Sequence, residues 1–232
     1  MAKLIIVATP IGNLEDISPR ALQALKECDM IFTEDKRVII KLLNHYDIGE
    51  KKLFTFCEAK AERTVEPAIA ELKKCISAVF VSDAGMPVVS DPGYQLVKRC
   101  YELGIQVDVI PGASAPVTAI AASGFPGSKF YFLGFIPRDK NQRRMWKSLV
   151  DFPNIMVFFE SPNRIVQTLK NILQILGDRE VFFAREMTKI HQEFFRTTVS
   201  HAIKEFEQRK EIKGEFTVVL GGKMQIMHTE EE

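Results

Sequence analysis

The sequence lacks the short motifs that identify the commonest nucleotide-dependent, metal-dependent and serine-dependent enzymes. It contains no G-x-G-x-x-G after a strand, no Walker A sequence, no H-E-x-x-H and no G-x-S-x-G elbow. The four histidines, His45, His191, His201 and His228, do not have the spacing of metal ligands. Hydride transfer, nucleotide hydrolysis, zinc hydrolysis and serine hydrolysis therefore lack support.

Cysteine is scarce, and no two cysteines form a C-x-x-C pair. The sequence has four, Cys28, Cys57, Cys75 and Cys100, all far apart and in apolar or helical surroundings. We therefore predict buried free thiols and no structural zinc site.

An excess of charge and long apolar runs are also absent. The formal net charge is +1, so a nucleic-acid partner requires a local basic patch. The apolar run at residues 4–8 is too short for a signal-peptide core or a membrane span. We therefore expect a cytoplasmic protein without membrane contact.

Strand-like and helical patterns alternate along the first half of the chain, which predicts a parallel sheet covered on both faces by helices. The predicted strands there are 4–8, 30–33, 53–56, 78–81 and 106–110, and the predicted helices include 38–45, 66–76 and 94–103. The Gly/Pro-rich residues 124–127 predict a boundary between domains 1–124 and 125–232. The second half has predicted strands 130–135, 155–159, 181–184 and 216–220, with helices 142–150, 165–176 and 202–209, and indicates another α/β unit with a mixed sheet.

Residues 82–93 connect a predicted strand to a predicted helix and are more numerous than the ~2–6 residues such a connection needs. Ligands of open α/β sheets bind at the carboxyl ends of the strands, where this segment lies. Asp83 and Asp91 offer acceptors, Gly85 permits close backbone approach, and Pro87 stiffens the loop. The alternative interpretation is a rigid turn that only connects two elements.

Four other segments have both a functional and a structural interpretation. Residues 111–115 open a helix with free amides but also suit tight helix–sheet packing, and residues 34–37 place four charges at a strand end but also suit a solvated helix start. The loop 185–191 is rich in polar groups, as functional loops and surface turns both are. Arg138, Lys140, Arg143, Arg144 and Lys147 surround Trp146, a pattern typical of a nucleic-acid contact or of a solvated basic helix face.

Taken together, these segments resemble the ribosomal RNA small subunit methyltransferase I family, within the tetrapyrrole-methylase-like superfamily. The resemblance covers nearly the whole chain in the family's order. It is carried by residues 7–14 with Asp16-Ile17, Glu34-Asp35 with Arg37, residues 82–93, Pro111-Gly112 with Ser114-Ala115, Gly134-Phe135 with Pro137, Glu160-Ser161-Pro162 with Arg164, Ala184-Arg185-Glu186 with Thr188-Lys189, and Gly214-Glu215-Phe216. The chain departs from the family pattern at Lys36, Met86 and Asn163, and it ends soon after Phe216, where many relatives continue.

The resemblance implies two α/β domains of the tetrapyrrole methylase type, a class III S-adenosylmethionine methyltransferase with the cofactor in a cleft between the domains. It also implies a homodimer that methylates the ribose 2′-hydroxyl of a cytidine in the decoding region of 16S rRNA in the small ribosomal subunit. The implied cofactor contacts are Pro10, Asp83, Ala84, Gly85, Met86, Pro87, Ser90, Asp91, Ser114, Ala115, Phe159, Ala184, Glu215 and Phe216.

For the chemistry, we hypothesise that Glu34 or Lys189 assists removal of the hydroxyl proton, while Arg37 and Arg164 bind phosphate. We predict that Arg138, Arg143 and Arg144 also contact the RNA. Two alternatives remain: a methyltransferase acting on a tetrapyrrole, which needs a wide apolar trough, and a non-catalytic RNA-binding or ribosome assembly factor.

Overall fold

The computed structural model of the protein describes residues 2–56 and 61–223. It divides the chain into two compact units, Met1–Ser114 and Ala115–Glu232. Of the predicted buried thiols, Cys28 and Cys100 are buried and Cys75 is partly buried, while Cys57 lies outside the described residues. Within those residues, no helix is long and apolar enough to cross a membrane.

The first unit is a parallel five-stranded sheet in the order β3-β2-β4-β1-β5. Its central strands are almost continuously apolar because helices cover both faces; all four residues of β2 are buried. The strands are β1 (Lys3–Val7), β2 (Met30–Thr33), β3 (Lys52–Thr55), β4 (Ser77–Phe80) and β5 (Gln106–Ile110). The helices are α1 (Pro19–Glu27), α2 (Lys36–His45), α3 (Ala61–Leu72) and α4 (Tyr94–Glu102).

Helix α3 differs from the predicted helix 66–76 at both ends. It begins earlier, so Pro67 lies inside the helix instead of at its start, although proline favours the first helical position. It ends at Leu72, and the side chain of Ile76 beyond it is 81% exposed. The apolar run at 75–76 therefore does not extend the helix.

The strand order brings four loops of the first unit to one edge of its sheet. Strand β1 lies between β4 and β5, and β2 lies between β3 and β4. All pairings are parallel, so the loops after β1, β2, β4 and β5 leave from the same carboxyl edge. This is the edge at which open α/β sheets bind ligands.

The second unit is a mixed sheet in the order β6-β7-β10-β8-β9, in which only β6 and β7 are parallel. Its strands are β6 (Phe130–Phe135), β7 (Ile155–Glu160), β8 (Glu180–Arg185), β9 (Glu193–Thr198) and β10 (Phe216–Leu220). Its helices are α5 (Ala115–Ser123), α6 (Asp139–Ser148), α7 (Ile165–Leu176) and α8 (Val199–Gln208). An aromatic and aliphatic core lies between one face of the sheet and helices α6 to α8.

Two features of this unit differ from the sequence-based expectation. Strand β9 was not predicted, because its charged residues Glu193 and Arg196 interrupt an apolar pattern; it is an edge strand whose residues alternate between half-buried and exposed.

Helix α5 packs against β7, β8 and β10, so the compact units divide before Ala115. The Gly/Pro-rich residues 124–127, where a boundary was expected, connect α5 to β6.

Candidate active site

In the first unit, the segment between β4 and α4, residues 81–93, is bound to the loop after β1. The amide of Thr9 donates to the carbonyl of Gly85 at 2.9 Å, and the Gly85 amide donates back to Thr9 at 3.1 Å. Gly85 has φ of 77°, and a Cβ atom there would lie 3.1 Å from the side chain of Ile11. Glycine at this position therefore lets the two loops approach each other closely.

The same segment contains backbone conformations that side chains rarely adopt. Val88 has φ of 75° and Ser90 has φ of 66°. A β-branched residue in this region is an outlier, and such conformations concentrate at active sites and ligand-binding loops. The loop is therefore held in a strained shape, which suits a binding loop better than a plain connector.

Glu34, directly after β2, carries a carboxylate oxygen that is buried and has no hydrogen-bond partner in the described part of the chain. Burial raises the pKa of Glu34 from 4.5 to about 7; the negative charges of Asp91 and Asp83 add to this, and a hydrogen bond from the Asp83 backbone opposes it. The pKa values of Asp83 and Asp91 are also raised, in both cases chiefly by burial. Glu34 is thus a group that can exchange a proton near neutral pH.

Asp35 and Arg37 form an ion pair with each other at the start of α2. The Arg37 side-chain Nε donates to both oxygens of Asp35, at 3.0 and 3.1 Å, and these bonds lower the pKa of Asp35 to about 2. The Arg37 side chain is nevertheless 87% exposed. The amide of Asp35 donates to Asp83 at 3.3 Å, so the start of α2 is tied to the loop after β4.

The predicted cofactor contacts of the first unit differ in how accessible they are. Only an accessible residue can touch a ligand with its side chain, whereas a buried one shapes the loop. Asp83, Ala84 and Ser90 are exposed, Met86, Asp91 and Ser114 are half-buried, and Pro10, Gly85 and Pro87 are buried. The Met86 side chain packs against the core, so only the backbone of Met86 is available to contact a ligand.

In the second unit, the strand register places Phe159, Thr217 and Ala184 side by side on one face of the sheet. Thr217 of β10 pairs with Phe159 of β7 and with Ala184 of β8. The pattern of the sequence did not single out Thr217, because a threonine inside an apolar strand is ordinary. Phe216 packs its ring against Phe206 in the core, at 5.6 Å between centroids, so only its backbone can serve a ligand.

The loop after β8 is joined by hydrogen bonds to the residue that precedes β10. Lys189 donates to Glu186 at 3.1 Å and to Glu215 at 2.9 Å, and the Glu215 amide donates to Glu186 at 2.8 Å. Burial disfavours the charged form of Lys189, but the bonds to Glu215 and Glu186 outweigh it and raise its pKa. Lys189 is therefore an ammonium group at neutral pH, so any help it gives to removal of the hydroxyl proton would come from its positive charge and not from acting as a base.

Arg164 lies at the start of α7 and bonds to the protein itself. Its guanidinium donates to the carbonyls of Ile136 at 2.8 Å and Pro137 at 2.7 Å, and it lies 3.5 Å from the buried carboxylate of Glu160. Thr168 donates to the same carboxylate at 2.6 Å. These contacts indicate that Arg164 positions the end of β6, which is a different role from the predicted phosphate contact.

Helix α6 carries a basic face and a buried face. Lys140, Arg143, Arg144 and Lys147 have the spacing of one helix face, and all four are exposed, as is Arg138 before the helix. None of these five side chains makes a hydrogen bond or ion pair within the described ranges. Trp146 is not available as a stacking ring for the nucleic-acid interpretation of this pattern: it is fully buried and packs edge-on against Phe158, because it belongs to the inward face of the helix.

Comparison with known proteins defines the class first. Residues 3–203 match the family model of Tetrapyrrole (Corrin/Porphyrin) Methylases. Two solved structures share the fold: diphthine synthase, with a TM-score of 0.72 and 15% identity over 94% of this chain and 89% of that chain, and a Thermus thermophilus uroporphyrin-III C-methyl transferase complexed with S-adenyl homocysteine, with a TM-score of 0.65 and 17% identity over 95% and 97%. The chain is a methyltransferase of the tetrapyrrole methylase type, and the predicted fold class is confirmed.

Curated relatives define the family. The Thermotoga maritima protein named ribosomal RNA small subunit methyltransferase I is 57% identical over 96% of this chain and 100% of its own length. The Bacillus subtilis protein of the same name is 40% identical over 96% of this chain and 76% of its own length. The chain belongs to the ribosomal RNA small subunit methyltransferase I family, as the sequence resemblance predicted.

Proposed function

We propose that this protein transfers the methyl group of S-adenosylmethionine to the ribose 2′-hydroxyl of a cytidine in the decoding region of 16S ribosomal RNA. The names of the Thermotoga and Bacillus relatives support ribosomal RNA as the substrate. Within the structure, Glu34 carries the proposal, because its pKa of about 7 and its unpartnered oxygen suit removal of a hydroxyl proton.

The residues of the first unit fit S-adenosylmethionine in charge and in shape. The negative charges of Asp91 and Asp83 act on Glu34 and raise its pKa, and such a group of mutually repelling carboxylates favours a cationic ligand. Bound there, S-adenosylmethionine supplies a methyl group already activated by its sulfonium. The exposed Ala84 and Ser90 leave room for close approach. The further proposed contacts are Pro10, Gly85, Met86, Pro87 and Ser114 in the first unit, and Ala115, Phe159, Ala184, Glu215 and Phe216 in the second.

Glu34 is the residue we assign to proton removal. A ribose hydroxyl is a poor nucleophile, and a base that accepts its proton during attack contributes about 10²- to 10⁴-fold in rate. Asp35, the next residue in the chain, is unsuited because its bonds with Arg37 lower its pKa to about 2. The remaining task of the protein is to hold the hydroxyl and the donor in line.

The exposed cations of the second unit are the proposed RNA contacts. Arg138, Arg143 and Arg144 have no partner within the described residues, so their charge is available to phosphate groups. Arg37 remains a further proposed contact, although its guanidinium is shared with Asp35. We also propose that the protein acts as a cytoplasmic homodimer, which light scattering on the purified protein tests.

The test uses small ribosomal subunits from a strain that lacks this methylation. Purified protein and labelled S-adenosylmethionine should yield 2′-O-methylcytidine, detected by mass spectrometry of the digested 16S rRNA and mapped by fragment analysis. Label on a base instead of a ribose would contradict the proposal. Methylation of uroporphyrinogen III without methylation of the subunits would favour a tetrapyrrole substrate.

A further inference from the structure

Phe135, the last residue of β6, presents an aromatic ring to solvent. Its side chain is 68% exposed, more than that of any other phenylalanine in the described ranges. Single exposed apolar residues are common on protein surfaces and need no explanation by themselves. Two features distinguish this ring: it packs against other aromatic rings, and exposed cations follow it in the chain.

The ring of Phe135 rests on other aromatic rings. It meets Phe159 with centroids 5.1 Å apart and planes inclined by 55°. Phe159 in turn meets Phe132 edge-on at 5.2 Å. The exposed ring is therefore one side of a packed aromatic cluster and not a free side chain.

The backbone that carries Phe135 is held from both sides. A register shift between Phe132 and Phe135 turns the end of β6, with Gly134 at φ of 62°. Directly after the ring, Arg164 binds the carbonyls of Ile136 and Pro137 at 2.8 and 2.7 Å. The ring is thus presented in one fixed orientation, which reduces the entropy lost when a ligand binds.

Unpaired positive charge follows the ring directly. Arg138 comes three residues later, and α6 then exposes Lys140, Arg143, Arg144 and Lys147 along one face. None has an ion-pair partner in the described part of the chain. A supported ring followed in the chain by unpaired cations suits single-stranded nucleic acid, since bases can stack on the ring and phosphates can bind the cations.

We propose that Phe135 is a stacking platform for an unpaired nucleobase of the RNA substrate, with Arg138 and α6 binding the adjoining phosphates. This inference rests on the proposed function, because it requires an RNA substrate. It assigns a binding role to a residue that would otherwise serve only as a strand end. It also gives Arg164 a role as a positioning residue for the platform.

The structure provides a direct optical test. The sequence contains one tryptophan, and Trp146 is fully buried, so Phe135→Trp introduces a single exposed indole. Oligocytidylate of about eight nucleotides, within the usual site size of 4–16, should quench that fluorescence by stacking. An abasic oligomer of equal length and charge should bind without the same quenching.

Substitution gives the second readout. Phe135→Ala should weaken oligocytidylate binding by about 5- to 150-fold, the range for loss of one stacked base, and should raise KM for small subunits. Phe135→Tyr should restore both. Phe130→Ala, on the opposite end of the same strand and 44% exposed, is the matched control and should leave both unchanged.

The outcomes separate this inference from the proposed function. If the wild-type protein neither binds oligocytidylate nor methylates small subunits, the proposed function fails and the stacking assignment fails with it. If the wild type does both and Phe135→Ala matches it, only the stacking assignment fails. A Phe135→Ala protein that loses calorimetric affinity for S-adenosylmethionine, or changes its oligomeric state, would also overturn the assignment, because the ring would then serve the cofactor or a second copy.

Discussion

The loops at the carboxyl edge of the first sheet and the loop after β8 in the second unit both contain acidic residues, but the pKa values of those residues shift in opposite directions. In the first unit, burial raises the pKa values of Glu34, Asp83 and Asp91. In the second, burial opposes ionisation of Glu186, yet hydrogen bonds from the Glu215 backbone and from Lys189 lower its pKa. Glu34 in the first unit can therefore change its protonation state near neutral pH. Glu186 in the second unit stays ionised, because hydrogen bonds stabilise its charge.

This difference distinguishes a carboxylate that can take part in a reaction from one that stabilises the fold. A carboxylate that accepts several hydrogen bonds stays ionised and fixes the shape of its loop: Lys189 and the Glu215 amide both donate to one oxygen of Glu186. A carboxylate with an unpartnered buried oxygen can change its protonation during a reaction, as Glu34 can. Perturbed carboxyl groups of this second kind are typical of functional sites.

The largest effect on activity should come from replacing Glu34, the carboxylate that can change its protonation state. Glu34→Gln keeps the shape of the side chain but cannot accept a proton, so methyl transfer to small subunits should fall by about 10²- to 10⁴-fold. Glu15→Gln, which changes an exposed carboxylate of the same unit, is the matched control. Single-turnover transfer of labelled methyl measures both. A Glu34→Gln rate within twofold of wild type would remove Glu34 from the mechanism.

The pH dependence should be the next largest effect and should have opposite signs for activity and stability. Activity needs ionised Glu34, so kcat/KM should fall about tenfold per pH unit below pH 7. The folded state holds the Glu34 proton more tightly than the ordinary pKa of 4.5 allows. Its contribution to stability is therefore complete below pH 4.5 and is lost as the pH rises through about 7.

Rate profiles and thermal unfolding between pH 5 and pH 8 check these two signs. Relative to wild type, Glu34→Gln should gain stability as the pH rises, because it lacks the group that resists burial when charged. An acidic limb in kcat/KM that survives in Glu34→Gln would assign the titration to another group.

The smallest effect should come from the second unit, where a change should alter stability and leave the chemistry intact. Thr168 donates to Glu160 at 2.6 Å and accepts from Gln142 at 2.8 Å, and all three side chains are buried. Thr168→Val removes one hydrogen bond from each of these buried partners and should lower the free energy of unfolding by about 1–3 kcal/mol. Denaturant titration measures this.

The control for that change is Thr55→Val, at an exposed position, which should stay within about 0.5 kcal/mol of wild type. Methyl transfer per folded molecule should be unchanged in both variants. A large loss of activity without loss of stability in Thr168→Val would show that the Glu160 network takes part in the reaction.

Two elements show where sequence patterns failed. Trp146 stands among cations in the sequence, but the 3.6-residue helical period turns it inward while Arg143 and Arg144 point to solvent. Strand β9 was missed because an edge strand needs only one buried face, and its charged residues hide the alternation. Both misses arise because neighbours in sequence face opposite sides of an element.

By itself, the sequence determined the alternation of strands and helices, the parallel direction of the strands in the first sheet and the strand-end loops that carry the family resemblance. Those features follow from local composition, since buried strands and turn residues have recognisable patterns. Only the tertiary structure decided that one carboxylate oxygen of Glu34 has no hydrogen-bond partner among the described residues. It also decided that Lys189 and Arg164 form hydrogen bonds within the protein, and that Thr217 stands between Phe159 and Ala184. These facts depend on strand register and on burial by distant residues, which no local pattern contains.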